Sequence, residues 1–132
     1  MKRITLICFL ITSLSFSQEQ EKKEAPWNVM YPEFMAQEAA EYFVEFNKLW
    51  SDESPIEAKE GRLVAIAVSA AIRCEYCIAA QIEFAKKVGA TDDEIKAAIQ
   101  IAAEIQRFST LLYGNEFDVE TFNKIIGRDN KE

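Results

Sequence analysis

The chain has 132 residues, 49% of them hydrophobic, with a formal net charge of −7 and no histidine. This length suits one globular domain with its own hydrophobic core. The acidic balance argues against nucleic acid and anionic membrane surfaces as partners, and no basic stripe in the sequence changes that expectation.

Residues 1–17 have the pattern of a secretory signal peptide. A basic start precedes an apolar run over 4–14, and small residues flank a cleavage position before Gln18. The run is short for a membrane span; an uncleaved N-terminal anchor is the alternative. We therefore expect export to the periplasm or beyond the cell, without membrane attachment after cleavage. Cleavage also removes Cys8 and leaves two cysteines in an oxidising compartment.

The remaining chain is predicted to form a linker, one domain and a tail. Residues 18–30 are assigned to a polar linker, because their first part is charged and has no apolar period. Residues 31–127 are assigned to the folded domain, and residues 128–132 to a frayed tail.

A first helix is predicted to begin near Pro32, which suits a first helical turn. Apolar residues then recur at spacings of three and four, which marks one helical face. This face, widened by Phe34, Phe43 and Trp50, is interpreted as packing against the domain or a partner subunit. Its members are Met35, Ala39, Tyr42, Phe46 and Leu49.

The second helix is predicted from Pro55 to about Ile72. Ser54 and Glu57 have the spacing of a capping box, and proline occupies the first helical position. The second half of this segment is almost wholly apolar, which is typical of a helix buried on most sides. We expect it to be the central helix of the fold.

The third helix is predicted over 74–88 and ends at Gly89, a common C-terminal stop. A second capping box, from Thr91 to Glu94, predicts the start of a fourth helix over 92–113. The apolar face of this fourth helix is expected to be buried. Its members are Ala98, Ile101, Ile105, Phe108 and Leu112.

A short fifth helix is predicted over 119–126, with Asp118 as its cap. No segment alternates between polar and apolar residues as a strand would. The sequence therefore predicts an all-α fold of about five to six helices.

Cys74 and Cys77 lie three residues apart near the start of the third helix, on the same face as Gln81. Their sulfurs can meet only near the helix start, where free N–H groups and the helix dipole stabilise a thiolate. A disulfide that closes so short a loop gives little chain-entropy stabilisation. We therefore interpret the Cys74–Cys77 pair as redox-active, with an inert clip between two helices as the alternative.

Metal binding is not expected at this pair. A structural zinc site needs about four ligands, and one chain with two cysteines and no histidine does not supply them. No other cofactor is expected either.

The stretch from Leu63 to Gln81, followed by Gly89–Ile95 and two alanines at 97–98, resembles the carboxymuconolactone decarboxylase superfamily. Within that superfamily it is similar to the AhpD-like (alkylhydroperoxidase D-like) branch. The resemblance covers about 31–113 and is strongest over 60–98. It implies an all-helical domain with a CxxC at the start of a central helix, assembled into a homo-oligomer such as a trimer or hexamer.

The resemblance also implies an activity. AhpD-like proteins are thiol peroxidases or disulfide reductants that serve a partner peroxiredoxin, so a hydroperoxide or disulfide is the expected substrate, and a peroxiredoxin or dithiol reductant the expected partner. The decarboxylase branch generally lacks the CxxC, so lactone decarboxylation is not expected.

By the same resemblance, Cys77 is the attacking thiol and Cys74 the resolving thiol. The AhpD-like pattern has a histidine four residues after the second cysteine and a glutamate twelve residues before the first. This chain has Gln81 and Arg62 at those positions. Glutamine cannot shuttle a proton and arginine stays charged, so an attenuated peroxidase activity is expected.

Three further residues are candidates for supporting the thiols. Arg62 is a candidate for holding a thiolate by charge, and Glu60 and Tyr76 are candidate substitutes for the missing relay. The alternative for Arg62 and Glu60 is a solvated, charged helix start. For Tyr76, the alternative is burial at a subunit contact.

The sequence leaves three functional hypotheses. The first is an exported AhpD-like thiol–disulfide oxidoreductase with antioxidant activity. The second is a non-catalytic oligomeric relic of the fold, in which the disulfide is structural. The third is a small-molecule binding module with an apolar pocket between phenylalanine-rich helices.

Overall fold

A computed structural model of the chain describes residues 26–128. The predicted signal peptide, the charged part of the predicted linker and residues 129–132 lie outside this range. Between residues 26 and 128 the chain is helical and has no strand, which confirms the all-α class. The chain divides at Ala40/Glu41 into two compact units, which are described separately.

The first unit begins with two short 3-10 helices, Pro26–Met30 and Glu33–Met35. The first α-helix, α1, spans Ala36–Asn47 and crosses into the second unit. Within the first unit Ala39 is buried, whereas the aromatic ring of Phe34 is largely exposed. Burial of Phe34 against a partner subunit, one of the two predicted alternatives, stays a prediction.

The second unit contains the other helices. After the end of α1, a 3-10 helix over Lys48–Trp50 leads into α2 (Ala58–Ala71), which packs against both α3 (Glu75–Lys87) and α4 (Asp92–Gly114). A short α5 spans Val119–Ile125. The second helix is thus central, as predicted.

The hydrophobic core lies where α2, α3 and α4 meet. Ile66 of α2 is the largest fully buried side chain among the described residues. It packs with Ala85, Ala90 and Ile95, and the partly buried side chains of Leu63 and Ile82 cover this cluster. The many alanines explain how three helix backbones approach one another closely at one isoleucine.

The predicted start of α4 is confirmed in detail. The Glu94 N–H donates to Thr91 Oγ1 at 3.2 Å, and the Thr91 N–H donates to Glu94 Oε2 at 2.7 Å. These two bonds complete the capping box. Asp118 caps α5 in the predicted manner, since its Oδ2 accepts the Thr121 N–H at 2.7 Å.

The predicted capping box at the start of α2 is wrong. Ser54 Oγ accepts the N–H of Ile56 at 3.3 Å, two residues on, and so forms a local turn. Helix α2 begins three residues later than predicted, at Ala58, and Glu57 occupies its N-cap without a side-chain hydrogen bond. The Ser54 side chain therefore accepts a hydrogen bond from an N–H group of the loop before α2 and not from an N–H group of the helix.

Helix α4 buries only part of its predicted apolar face. Ala98 is buried, but Ile101, Ile105 and Phe108 are each more than half exposed. The helical face of α4 that packs on α2 is turned away from Ile101 and Ile105, which both precede the end of α2. Only Phe108 lies in the part of α4 that extends beyond α2, since α4 has 23 residues and α2 has 14. Gln106 Nε2 donates to the carbonyl of Ala71 at 2.8 Å, which marks where α2 ends along α4.

The same difference between pattern and burial occurs in the second half of the α1 stripe. Phe46 and Trp50 are half-buried and stack edge to face at 5.7 Å, whereas Tyr42 and Leu49 are more than half exposed. The helical period is therefore correct, but one chain covers only part of the face. Over the described range, no helix is both long enough and apolar enough to cross a membrane.

Candidate redox site

The turn between α2 and α3 determines where the cysteines lie. The N–H of Arg73 donates to the carbonyl of Ala70 at 3.1 Å, and the N–H of Cys74 donates to the carbonyl of Ser69 at 3.0 Å. These are the two bonds of a Schellman turn. Arg73 takes the left-handed conformation, with φ 58°, at the position where glycine is usual. The turn delivers Cys74 directly to the N-cap of α3.

Cys74 and Cys77 form a disulfide at this helix start, with their Cα atoms 5.2 Å apart. Both side chains are half-buried. Cys74 Sγ accepts the N–H of Cys77 at 3.2 Å, so the sulfur also caps α3. The sulfurs thus meet at the helix start, where the N–H groups and helix dipole favour negative charge on sulfur.

Ser69 is a member of the site that the sequence did not indicate. Its side chain is buried, and its Oγ donates to the carbonyl of Ala65 at 2.6 Å. Its own carbonyl holds the N–H of Cys74. A serine within an alanine-rich segment gives no local signal for this role, which depends on the path of the following turn.

The two positions that depart from the AhpD-like pattern contact each other. Arg62 Nη1 on α2 donates to Gln81 Oε1 on α3 at 2.9 Å. Gln81 lies four residues after Cys77, and such pairs share one helix face with Cβ atoms about 5–6 Å apart. Arg62 is therefore connected to the helix face that carries the disulfide through the side chain of Gln81.

Two aromatic rings enclose the guanidinium of Arg62. Its Cζ lies 3.8 Å from the ring centroid of Trp50 and 4.8 Å from that of Phe84. Gly61 presents no side chain to Trp50, and a Cβ there would lie 3.4 Å from the indole. Burial lowers the pKa of Arg62 from its ordinary value, but the guanidinium stays protonated at neutral pH.

The sequence did not assign Trp50 or Phe84 to the site. Trp50 belongs to the predicted apolar face of the first helix, and the sequence makes no prediction for Phe84. Their role depends on long-range packing, in which the 3-10 helix and α3 place one ring each against Arg62 of α2. Such contacts cannot be predicted from the spacing of residues along the sequence.

The other two candidates stand apart from the sulfurs. Tyr76 is 90% exposed, and Glu60 is exposed as well. Within the described range, neither residue forms a hydrogen bond with Cys74, Cys77, Arg62 or Gln81. The structure therefore gathers Arg62, Gln81 and the disulfide, and it leaves Glu60 and Tyr76 on the surface.

No group of three or more metal-ligating side chains occurs in the part of the chain that the structure describes. A surface depression near the start of α2 is lined mainly by polar residues, including Ser51, Asp52, Glu57 and Lys59. It contains neither cysteine and none of the phenylalanine side chains that the binding-module hypothesis invokes.

Comparison with known proteins identifies the family of this chain. The model of the carboxymuconolactone decarboxylase family matches residues 37–116, a range that contains Arg62, both cysteines of the disulfide and Gln81. The chain therefore belongs to the carboxymuconolactone decarboxylase family, as its sequence motifs predicted. This family includes decarboxylases and alkylhydroperoxidases.

The chain is also similar to a curated protein of Paracoccus denitrificans named "Uncharacterized protein 4 in cox locus". The two are 27% identical over 74 residues, which cover 56% of this chain and 67% of that protein. No solved structure matches the chain.

Proposed function

We propose that the protein is an AhpD-like thiol–disulfide oxidoreductase that works through Cys74 and Cys77. The observation that carries this proposal is the disulfide at the N-terminus of α3, in a chain of a family that includes alkylhydroperoxidases. A peroxiredoxin or another dithiol protein is the proposed physiological partner.

In the exchange reaction, the reduced pair transfers two electrons to a substrate disulfide. The Cys77 thiolate attacks one substrate sulfur, a mixed disulfide forms, and the first substrate thiolate leaves. Cys74 then attacks Cys77 Sγ, closes the protein disulfide and releases the second thiolate. Each released thiolate is protonated from solvent, and an added dithiol such as dithiothreitol returns the protein to its reduced state.

The groups at positions 62 and 81 favour a disulfide substrate over a hydroperoxide. Attack on a hydroperoxide forms a sulfenic acid and expels an alkoxide, which needs a proton as it leaves. Neither the amide of Gln81 nor the guanidinium of Arg62 is a proton shuttle at neutral pH. General acid–base help is worth about 10²–10⁴ in rate, whereas a thiolate is a stable leaving group without it.

The test uses reduced protein, a model disulfide and the variants Cys77→Ser and Cys74→Ser. We expect wild type to turn over with excess dithiothreitol, and Cys77→Ser to lose turnover. Cys74→Ser should form a mixed disulfide at Cys77 that mass spectrometry detects, because the resolving thiol is absent. Turnover by Cys77→Ser equal to wild type would contradict the proposed site.

The Arg62–Gln81 contact also favours a second candidate function, the non-catalytic relic. In that protein the contact replaces a proton relay with a structural link, and the disulfide only closes the first turn of α3. The reduction potential separates the two candidates. A value below about −300 mV is typical of structural disulfides, and one near about −180 mV is typical of exchange catalysts.

We further propose a homo-oligomer that is formed through α2. Val64, Val68 and Ile72 lie at i, i+4 and i+8 on one face, and all are more than half exposed. An apolar stripe of this kind on a folded domain is typical of an association surface. Tyr76 continues the exposed apolar surface next to the disulfide.

Light scattering after size-exclusion chromatography tests this assembly. We expect a trimer or hexamer for wild type and a smaller species for Val68→Glu. Val119→Glu is the matched control, since Val119 is exposed on α5 away from the stripe. A wild-type monomer at micromolar concentration would refute the assembly without affecting the proposed chemistry.

A further inference from the structure

Arg62 is held by different partners from several other basic residues of α2, α3 and α4. Lys59 pairs with Glu94 at 2.9 Å, Lys86 with Asp92 at 3.0 Å and Arg107 with Glu104 at 2.7 Å. Arg62 has no carboxylate partner among residues 26–128. Its contacts are one amide oxygen and the faces of two aromatic rings.

These contacts leave much of the guanidinium unsatisfied. Nε of Arg62 is buried and has no hydrogen-bond partner in the described structure. The Arg62 residue as a whole is only half-buried, so part of its side chain stays in contact with solvent. A half-buried charge without a counter-ion is costly, and it binds an anion more strongly than a fully solvated charge does.

The position of this cation relates it to the redox pair. Gln81 fixes the guanidinium on the α3 face that also carries Cys77. A molecule whose sulfur meets Cys77 therefore brings its next few atoms into the neighbourhood of Arg62. The net charge of −7 repels anions overall, so any preference for an anionic substrate must come from a local cation.

We propose that Arg62 is a specificity-determining residue that binds the carboxylate of an anionic disulfide substrate. This inference rests on the proposed exchange activity and names its substrate class: small disulfides with a carboxylate a few atoms from the sulfur. Gln81 holds the guanidinium in place, and the rings of Trp50 and Phe84 exclude water from its faces. The reaction remains the two-electron exchange described above, in which the protein dithiol is oxidised and the substrate disulfide is reduced to two thiols.

Three probes with the same two-carbon arm test the proposal. They are 3,3′-dithiodipropionate, which is anionic, bis(2-hydroxyethyl) disulfide, which is neutral, and cystamine, which is cationic. Second-order rates of oxidation of the reduced protein are divided by the rate of dithiothreitol with the same probe, which removes intrinsic reactivity. We expect the anionic-to-neutral ratio of wild type to exceed that of Arg62→Gln by about tenfold, the effect of one charge-assisted hydrogen bond.

Two variants separate a local effect from a general loss of charge. Arg107→Gln removes the same charge from an exposed site on α4 and should change the ratio less than about twofold, because exposed charges are screened. Gln81→Glu keeps the side-chain shape and gives Arg62 an internal carboxylate, so it should remove the anion preference even where Arg62→Gln fails to fold. Arg62→Lys should retain part of the preference.

The outcomes distinguish this inference from the proposed function. One outcome is Cys77-dependent exchange with the neutral probe and an anionic-to-neutral rate ratio that is the same in wild type, Arg62→Gln and Gln81→Glu. This result would overturn the role of Arg62 but not the proposed oxidoreductase activity. If the protein reacts no faster than dithiothreitol with any of the three probes, the proposed oxidoreductase activity is overturned. The proposed substrate class is then overturned as well.

Discussion

Helices α2 and α3 end in the same backbone turn, but the two turns have different residues and different surroundings. At the end of α3, Gly89 takes φ 86°, and Ala90 donates to Ala85 at 2.9 Å. At the end of α2, Arg73 takes φ 58°, and Cys74 donates to Ser69 at 3.0 Å. Both are Schellman turns, yet only the first has the residue that this conformation favours.

The next residues extend the contrast. The α3–α4 turn leads into a full capping box and buried alanines, so its contacts all serve stability. The α2–α3 turn leads into a half-buried sulfur that caps α3. Of these two junctions, the one with a non-glycine residue in the left-handed region carries the disulfide. Glu116 takes the same conformation, with φ 50°, at the end of α4.

The largest expected effect is on the core beneath the α3–α4 junction. Ile66→Ala should lower the free energy of unfolding by about 2–5 kcal/mol, because it opens a cavity among Ala85, Ala90 and Ile95. Urea unfolding of the oxidised protein measures the change. Val119→Ala, at an exposed position, should stay within about 0.5 kcal/mol. Equal losses in the two variants would contradict the assigned core.

Exchanging the residue types at the two turns should give effects of opposite sign. Gly89→Ala should destabilise the protein by about 1–2 kcal/mol, since a Cβ is disfavoured in the left-handed region. Arg73→Gly should stabilise it by about 1 kcal/mol for the same reason. Thermal unfolding of both variants provides the measurement. A destabilising Arg73→Gly would show that the arginine side chain contributes contacts that outweigh its backbone strain.

The smallest expected effect is electrostatic and belongs to the α3–α4 junction. Hydrogen bonds from the Thr91 backbone and from Lys59 lower the pKa of Glu94 from 4.5 to about 2. Because this pKa is lower in the folded state, the carboxylate contributes its full stabilisation above about pH 4.5 and loses it as the pH falls towards about 2. Glu94→Gln should therefore be less stable than wild type at neutral pH.

Urea unfolding between pH 2 and pH 7 tests this linkage. The stability difference between wild type and Glu94→Gln should shrink as the pH is lowered through that window. A difference that stays constant with pH would mean that the ionised carboxylate has no advantage over an amide at this cap.

Local sequence patterns predicted the parts of the fold that depend on local physics. The Thr91 capping box, the Asp118 cap and the helix start at Cys74 all use side chains within a few residues of the groups they satisfy. The stop at Gly89 is equally local, because glycine lacks the Cβ that disfavours the left-handed conformation. The carboxymuconolactone decarboxylase family was predictable for a related reason, since its cysteine motif and the helix signals around it occur in one continuous segment.

The remaining features leave no clear signal in the local sequence. No glycine or asparagine occupies position 73, so the sequence gives no signal for its left-handed conformation. The Arg62–Gln81 bond joins residues 19 apart. Ser54 has the spacing of a cap but satisfies a loop. The period of apolar residues shows that one face of a helix is apolar, but it does not show what covers that face. Ile105 is an example, since it belongs to the predicted apolar face of α4 and is exposed.

The stacking of Trp50 on Arg62 gives the site an optical signal of its own. The indole of Trp50 lies against the guanidinium of Arg62, which is hydrogen-bonded to Gln81 on α3, the helix that carries the disulfide. The chain has one other tryptophan, Trp27. Fluorescence of a Trp27→Phe variant would come from Trp50 alone. Its intensity should change when the disulfide opens, so that one unlabelled protein reports its redox state during turnover.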